Sequence, residues 1–370
     1  MTPLLPLLGS LASLAPLQER QPPEFRSDVR LIRLDVSVVD GRGRPIAGLL
    51  AEDFTIKEDG RPVEITYFEA VEEGSAQAAD EDAAGEGAAS AARQAPRRIV
   101  LLVDTAFMTH AQLIRARESA ARYLREATRE GDWVRIVNMA TGRVRDGAIP
   151  DDRLRLEAAA RTLAREAAPW EEGEVGDPIP DRFETDTEAG LPSQGETSES
   201  FLSVFSRTSG LLGTLESLFV QLQALPGRKA VVMISPGFPQ LGNFDRKLQR
   251  VATLAREASV AVYFVDAVGL DGLIEQSASR TILRPAFEMA WNRSGGSQDL
   301  AEATGGFTFR FGNSLLPALA RVGSEMRTYY VLGYVPARPD DGRFRSVKVK
   351  VDLPGATART KKGYLAGRLP

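Results

Sequence analysis

Residues 97–104, RRIVLLVD, are the point from which the rest of the chain can be placed. Ile99 to Val103 are apolar without a break, a run long enough for a strand and too short for a helix. A strand with no polar alternation is covered on both faces, the pattern at the centre of a parallel sheet. A carboxylate, Asp104, arrives where the apolar run stops. Residues 110–129 then set Leu113, Ala116, Ala120, Tyr123, Leu124 and Ala127 at helical spacing. In an open α/β sheet ligands sit outside the carboxyl ends of the strands, so Asp104 marks the expected site.

Downstream, strand and helix periods alternate. Residues 132–139 and 143–149 read as a strand and its hairpin partner, 153–166 and 211–225 as helices, and 228–235 (RKAVVMIS) as a second apolar strand. A helix over 244–258 leads to the run 260–265, which ends in Asp266 as the first ends in Asp104. After a loop over 269–296 come a short helix at 298–303, a strand at 307–311 and a last helix at 315–327. Buried strands that each hand over to a helix predict an α/β domain with a doubly wound sheet.

The flanks have no helical period. Residues 28–70 read as short strands broken by turns at Asp40-Gly41, Arg42-Gly43 and Asp59-Gly60. From residue 328 the pattern returns in TYYVLGYVP, FRSVKVKVDL and TARTKKGYL. A few short strands cannot close a good core alone. The expectation is one β-sandwich built from residues 28–70 and 328–366, with the α/β domain, 98–327, inserted between them. Residues 71–97 are Ala-, Glu-, Asp- and Gly-rich and read as a disordered linker. Residues 169–200, acidic and rich in Pro and Gly, read as a disordered insert.

Residues 1–18, MTPLLPLLGSLASLAPLQ, have the length and apolarity of a signal-peptide core, with small-residue cleavage positions near Ser10 and Ala12. The segment is too short and proline-broken to span a membrane. It reads as a signal peptide or a disordered tail. The expected location is outside the cytoplasm, periplasmic or secreted, with no transmembrane segment in the mature chain.

Composition removes several function classes. The chain of 370 residues has no cysteine and one histidine, His110, so thiolate metal sites, disulfides, cysteine nucleophiles and histidine-pair zinc sites are unavailable. A Ser-His-Asp triad would depend on that single histidine. Net charge is −4 and no basic run is interleaved with aromatics, which predicts no nucleic-acid partner. Aromatic content is 7%, and Trp133, Trp170 and Trp291 are scattered, which argues against a glycan-binding cleft.

The order strand–DT–helix, then PGRKAVVMISPGF, then VAVYFVDAVGL, resembles a von Willebrand factor A domain. RLDVSVVDGRGRPIAGL and EDFTIKEDGRPVEITYFE before it, with LAEATGGFTF, YYVLGYVP, DGRFRSVKVKV and ARTKKGYLAG after it, resemble the VWFA-related family of bacterial secreted proteins, of acidobacterial type. The likeness covers roughly residues 25–366. It implies a doubly wound, Rossmann-like domain and a divalent-metal site of the form D-x-S-x-S, completed by a later Thr and Asp. Hard oxygen ligands of that kind leave one coordination position for a partner's carboxylate. Carried over residue by residue, Asp104 matches, while the serine positions are Ala106 and Met108 and the distal Asp is Ser235. The resemblance would draw the Thr from Thr208 or Thr214 without placing it. The resemblance therefore implies a degenerate metal site and no bound Mg²⁺.

Other features have bland readings beside the sharp ones. His110 next to Thr109 starts the first helix as an exposed polar residue, or acts as a lone acid–base group. Asp104 and Asp266 either cap the turns that follow them or pair across one crevice for acid–base chemistry. The acidic run 171–199 reads as solvated disorder, since no EF-hand spacing appears. Gly210 and Gly213 lack the rest of a nucleotide motif, and Lys361-Lys362 reads as edge-strand charge. The leading expectation is a non-catalytic protein–protein interaction module. Its partner-binding face would carry Asp104, Thr105, Thr109, Thr214, Ser235 and Asp266. A metal-dependent adhesin and a carboxylate-based hydrolase are the alternatives, and the sequence leaves the oligomeric state open.

Overall fold

The computed structural model describes residues 31–72, 97–163, 194–240, 242–269 and 293–367. The N-terminal segment 1–18, most of the linker and most of the acidic insert fall outside the described residues.

The α/β part is built on a six-stranded sheet. Its strands are β5 (Arg98–Val103), β6 (Trp133–Asn138), β7 (Val144–Ala148), β8 (Lys229–Ser235), β9 (Val260–Asp266) and β10 (Thr308–Phe309). They lie in the order β10-β9-β8-β5-β6-β7, parallel except for β7, which pairs antiparallel with β6 as the hairpin reading expected. Counted within the domain this is the order 3-2-1-4-5-6 of doubly wound folds, so the sheet reverses direction between β5 and β8.

The all-apolar character of β5 follows from this position. Ile99, Leu101 and Val103 face α1 (His110–Glu126), α2 (Arg153–Arg161) and α6 (Leu316–Glu325), in one core with Leu113, Tyr123, Leu156 and Leu319. Val100 and Leu102 face the other way, toward α3 (Gln194–Gln223), α4 (Asp245–Glu257) and α5 (Gly295–Thr304), with Leu215, Phe219, Val251 and Leu300. Two buried faces leave no position for a polar residue, which is why the strand shows no alternation.

Several boundaries differ from the sequence reading. Helix α3 begins at Gln194, inside the segment expected to be disordered through 200, and runs on through Gly210 and Gly213. A glycine costs about 1 kcal/mol in a helix interior, and the buried stripe of Leu211, Leu212, Leu215, Leu218, Phe219 and Leu222 outweighs it. Helix α5 starts at Gly295, earlier than 298, and β10 is only two residues long, Thr308–Phe309, with Phe311 beyond it in the left-handed region at φ 60°. Val71 belongs to a strand, not to the linker.

The flanks interleave. One antiparallel sheet has the order β13-β1-β11-β4 and the other β14-β12-β2-β3. N-terminal strands β1 (Ile32–Val39), β2 (Phe54–Glu58), β3 (Arg61–Val63) and β4 (Tyr67–Val71) thus share sheets with C-terminal strands β11 (Tyr329–Tyr334), β12 (Phe344–Val351), β13 (Thr357–Arg359) and β14 (Gly363–Leu365). Leu34, Val36, Phe54, Ile56, Tyr330, Leu332, Val347 and Tyr364 form one core between the two sheets. The chain leaves β3 after Val63 and crosses to the opposite sheet as β4. The C-terminal run makes the same crossing between β13 and β14. Buried Glu58 accepts hydrogen bonds from the hydroxyls of Tyr334 (2.8 Å) and Tyr364 (2.9 Å) and from Arg338 (3.3 Å), so its carboxylate is fully engaged.

Among the described residues no helix is long and apolar enough to cross a membrane.

Candidate functional site

The carboxyl ends of β5 and β8 flank the point where the sheet changes direction, the place where α/β sheets form a ligand crevice. Asp104 follows β5 directly and its amide donates to Ile234 O on β8 at 3.0 Å, which seats it beside Ser235, the last residue of β8. The Ser235 hydroxyl donates to Asp104 Oδ2 at 2.6 Å, and the Phe107 amide donates to Oδ1 at 3.3 Å. Ser235 Oγ in turn accepts from the Gly237 amide at 2.9 Å. Gly237 holds φ 90°, and a Cβ there would lie 2.5 Å from Ser294 Cβ, so the turn after β8 requires glycine.

Asp104 is completely buried. Burial pushes its carboxyl up to about 7, against the pull of the Ser235 hydroxyl, the Phe107 and Ala106 amides and the Arg207 guanidinium. Near neutral pH it is therefore divided between the neutral acid and the carboxylate.

Thr105, also completely buried, donates its hydroxyl to Asn138 Oδ1 at 2.7 Å, and the same oxygen accepts the Ala140 amide at 3.0 Å. Asn138 closes β6, so the ends of β6, β5 and β8 are joined by side-chain hydrogen bonds through Thr105 and Asp104. Asp266, at the end of β9, is in register with Ser235 on β8. Its Oδ1 accepts the Val268 amide at 2.9 Å, and burial raises its carboxyl while Arg293, Arg310 and Arg115 oppose the rise. The two carboxylates thus stand on strands either side of Ser235, and the hydrogen bonds to Asp266 and to Asp104 come from separate groups.

Of the residues singled out in the sequence, Asp104, Thr105, Ser235 and Asp266 gather along this sheet edge, but all four are buried, so they lie beneath the surface and not on the partner-binding face the sequence expects. Thr109 and Thr214 have other work. Thr109 caps α1, its hydroxyl accepting the Gln112 amide at 3.3 Å while Gln112 Oε1 accepts the Thr109 amide at 3.1 Å. Thr214 donates back to Gly210 O at 3.2 Å within α3, and Thr208 does the same to Val204 O at 2.8 Å. His110 is the exposed first residue of α1. Ala106 packs on Ala140 and Met108 joins the core beside α1.

Two residues of the site have no marker in the sequence. Asn138 is one. Arg207 is the other: it bears electrostatically on Asp104 and lies 5.2 Å over the Phe107 ring. The spacing Phe205, Thr208, Leu212, Leu215, Phe219 and Leu222 alternates threes and fours, and followed upstream it carries the helix past Gly210 to Arg207.

Lys361 and Lys362 join the edge strands β13 and β14 and also make contacts to the α/β part. Lys362 Nζ donates to Glu302 Oε2 of α5 at 2.8 Å, and Lys361 lines a cavity between the sandwich and the α/β part. Among the described residues no three Asp, Glu or His side chains converge.

No protein-family model matches this chain, and no curated protein matches it. The likeness to the VWFA-related family rests on the sequence motifs.

Proposed function

We propose that this protein is an exported, non-catalytic protein–protein interaction module of von Willebrand A-like type, docking a partner on the carboxyl edge of its central sheet. The observation that carries the reading is the enclosure of Asp104. Its side chain is completely buried, and both oxygens accept hydrogen bonds from the protein itself. The residues that would complete a metal site offer a methyl group at Ala106 and a thioether at Met108, and the distal position is a neutral hydroxyl, Ser235. A hard divalent cation needs several oxygen ligands, and this set does not fit one. The site thus works as a structural lock on the ends of β5 and β8, with exposed His110 and half-buried Phe107 and Thr109 beside it to meet a protein surface. The metal-dependent adhesin and the carboxylate hydrolase both need an Asp104 that can reach a ligand.

The test is site-specific photo-crosslinking of the full chain in its native exported fraction. A photoreactive residue at Phe107 is expected to give a discrete protein adduct, and one at exposed Lys348 on β12 none. Equal capture at both positions, or none at Phe107, would refute the assignment of the face.

A further inference from the structure

We propose that the seam between the β-sandwich and the α/β part is a binding site for a small inorganic oxyanion of the phosphate or sulfate type. A cavity of about 20 Å³ lies there, its walls including Asp35 of β1, Arg228, Arg256, Gly305 and Lys361. That space holds one water-sized group, or one oxygen of an oxyanion whose remaining oxygens stand at the mouth.

The walls carry more cationic than anionic side chains, although Asp35 Oδ1 is also buried without a hydrogen-bond partner among the described residues. Three lining residues are cationic, Arg228, Arg256 and Lys361, and one is anionic, Asp35. Asp35 is also offset from outside the cavity by Arg33, at 3.6 Å. The other carboxylates acting on these arginines are Glu325 on Arg228 and Glu257 on Arg256. Glu325 is itself held by Arg321 and Arg359 on α6 and β13, so the seam keeps its positive excess.

The two arginines are both more than nine-tenths buried. Arg228 gives Nη2 to Ser37 Oγ at 2.7 Å and to the Tyr263 hydroxyl at 3.3 Å, and its guanidinium lies 4.7 Å over the Tyr329 ring. Its Nη1 is buried and has no hydrogen-bond partner among the described residues. Arg256 gives Nη2 to Thr253 Oγ1 at 2.8 Å, and its Nε is likewise buried without a partner among the described residues. Buried donors without acceptors are costly, and guanidinium forks match the geometry of oxyanions. Burial lowers Arg256 to about 10, so it stays cationic at neutral pH while lacking full solvation.

The backbone packs closely beside the cavity. Gly305 ends α5 at φ 84°, and a Cβ on it would come within 2.6 Å of the Thr360 carbonyl carbon, so the two halves approach as closely as glycine permits beside the cavity. An oxyanion there would bridge β1 and the 360–362 turn to the start of β8 and the end of α4.

The test uses the full chain. Thermal melts and isothermal titration are run against inorganic phosphate at pH 7, with sodium chloride at matched ionic strength as control. The expected result is a saturable, single-site rise in melting temperature with phosphate, absent with chloride. Arg256→Gln is expected to weaken phosphate binding at least tenfold. Should that variant fail to fold, Lys361→Met is expected to weaken it severalfold. Superimposed phosphate and chloride curves would reduce the cavity to a water site and overturn the proposal. So would phosphate binding of unchanged affinity in the folded variants.

Discussion

Asp104→Asn is the substitution whose outcome depends most directly on the enclosure of this site. The carboxyl titrates at 3.8 ordinarily and at about 7 in the folded chain. The native state therefore binds the proton more tightly than the unfolded chain between those values. In that window an acid raised by folding contributes stability at low pH and loses it as pH climbs through the folded value. Each unit of difference is worth about 1.4 kcal/mol, so raising the pH from 5 to 8 removes roughly 3 kcal/mol from the native state through this one group. Asparagine is nearly isosteric and keeps an acceptor for the Phe107 amide, but it has no proton to lose. The assay is calorimetric melting of the native and Asp104→Asn chains at half-unit intervals from pH 5 to 8. The two curves should diverge with rising pH, the substituted chain gaining several degrees relative to the native one by pH 8. Taking the difference removes every other titrating group common to both chains. Parallel curves across the whole range would show that Asp104 titrates normally, and the enclosure argument would then fail.

Melting curves in millimolar Mg²⁺, millimolar Mn²⁺ and EDTA are expected to superimpose. A cation bound to the native state alone at a hundred times its Kd would add about 2.7 kcal/mol, and a metal-specific rise lost in Asp104→Ala would revive the adhesin reading. Glu58→Ala removes the acceptor for two buried tyrosine hydroxyls and Arg338 and should cost about 3–5 kcal/mol, with Glu58→Gln losing less; chemical denaturation would check both, and a cost under about 1 kcal/mol for the alanine would contradict the network. Phe219→Ala, at a completely buried position of α3, should cost about 3–5 kcal/mol by the same measurement.

What the sequence made legible follows from how local each signal is. The run Ile99–Val103 has no alternation because both faces are covered, and that property is written in five consecutive residues. Asp104 and Asp266 were visible for the same reason, each interrupting an apolar run. The partners of these groups were not visible. Ser235 meets Asp104 across 131 residues and Thr105 meets Asn138 across 33, contacts that exist only once the strand order is known. Thr214 looked equivalent to Ser235 as a hydroxyl near the site, but helical phase turns its hydroxyl back onto Gly210. The crossings of β3 to β4 and β13 to β14 between sheets are not legible in the sequence, because a period-2 pattern assigns faces without saying which sheet the strand joins. The sequence places Lys361 and Lys362 at a sheet edge, but the pairing of Lys362 with Glu302 of α5 depends on a packing no local pattern carries.

The pairing of β1 with β11 has a consequence for the order in which the molecule assembles. Ile32 lies opposite Tyr334, so β1 leaves the ribosome about three hundred residues before its central partner exists. Closing a loop of that length from an unfolded chain costs roughly 5 kcal/mol of entropy, falling by about 2 kcal/mol for each tenfold shortening. The α/β part supplies the shortening itself. Arg97, just before β5, donates to Gly323 O in α6 at 3.1 Å, so once the inserted part has folded its entrance and exit are already side by side. The two sets of flanking strands are then delivered to one place as the ends of a tether roughly four times shorter. Assembly should run from the inside outward, with the sandwich closing last. A lesion in the α/β core would then leave β1, β2, β11 and β12 as unpaired apolar edges, exposed to one another across different molecules.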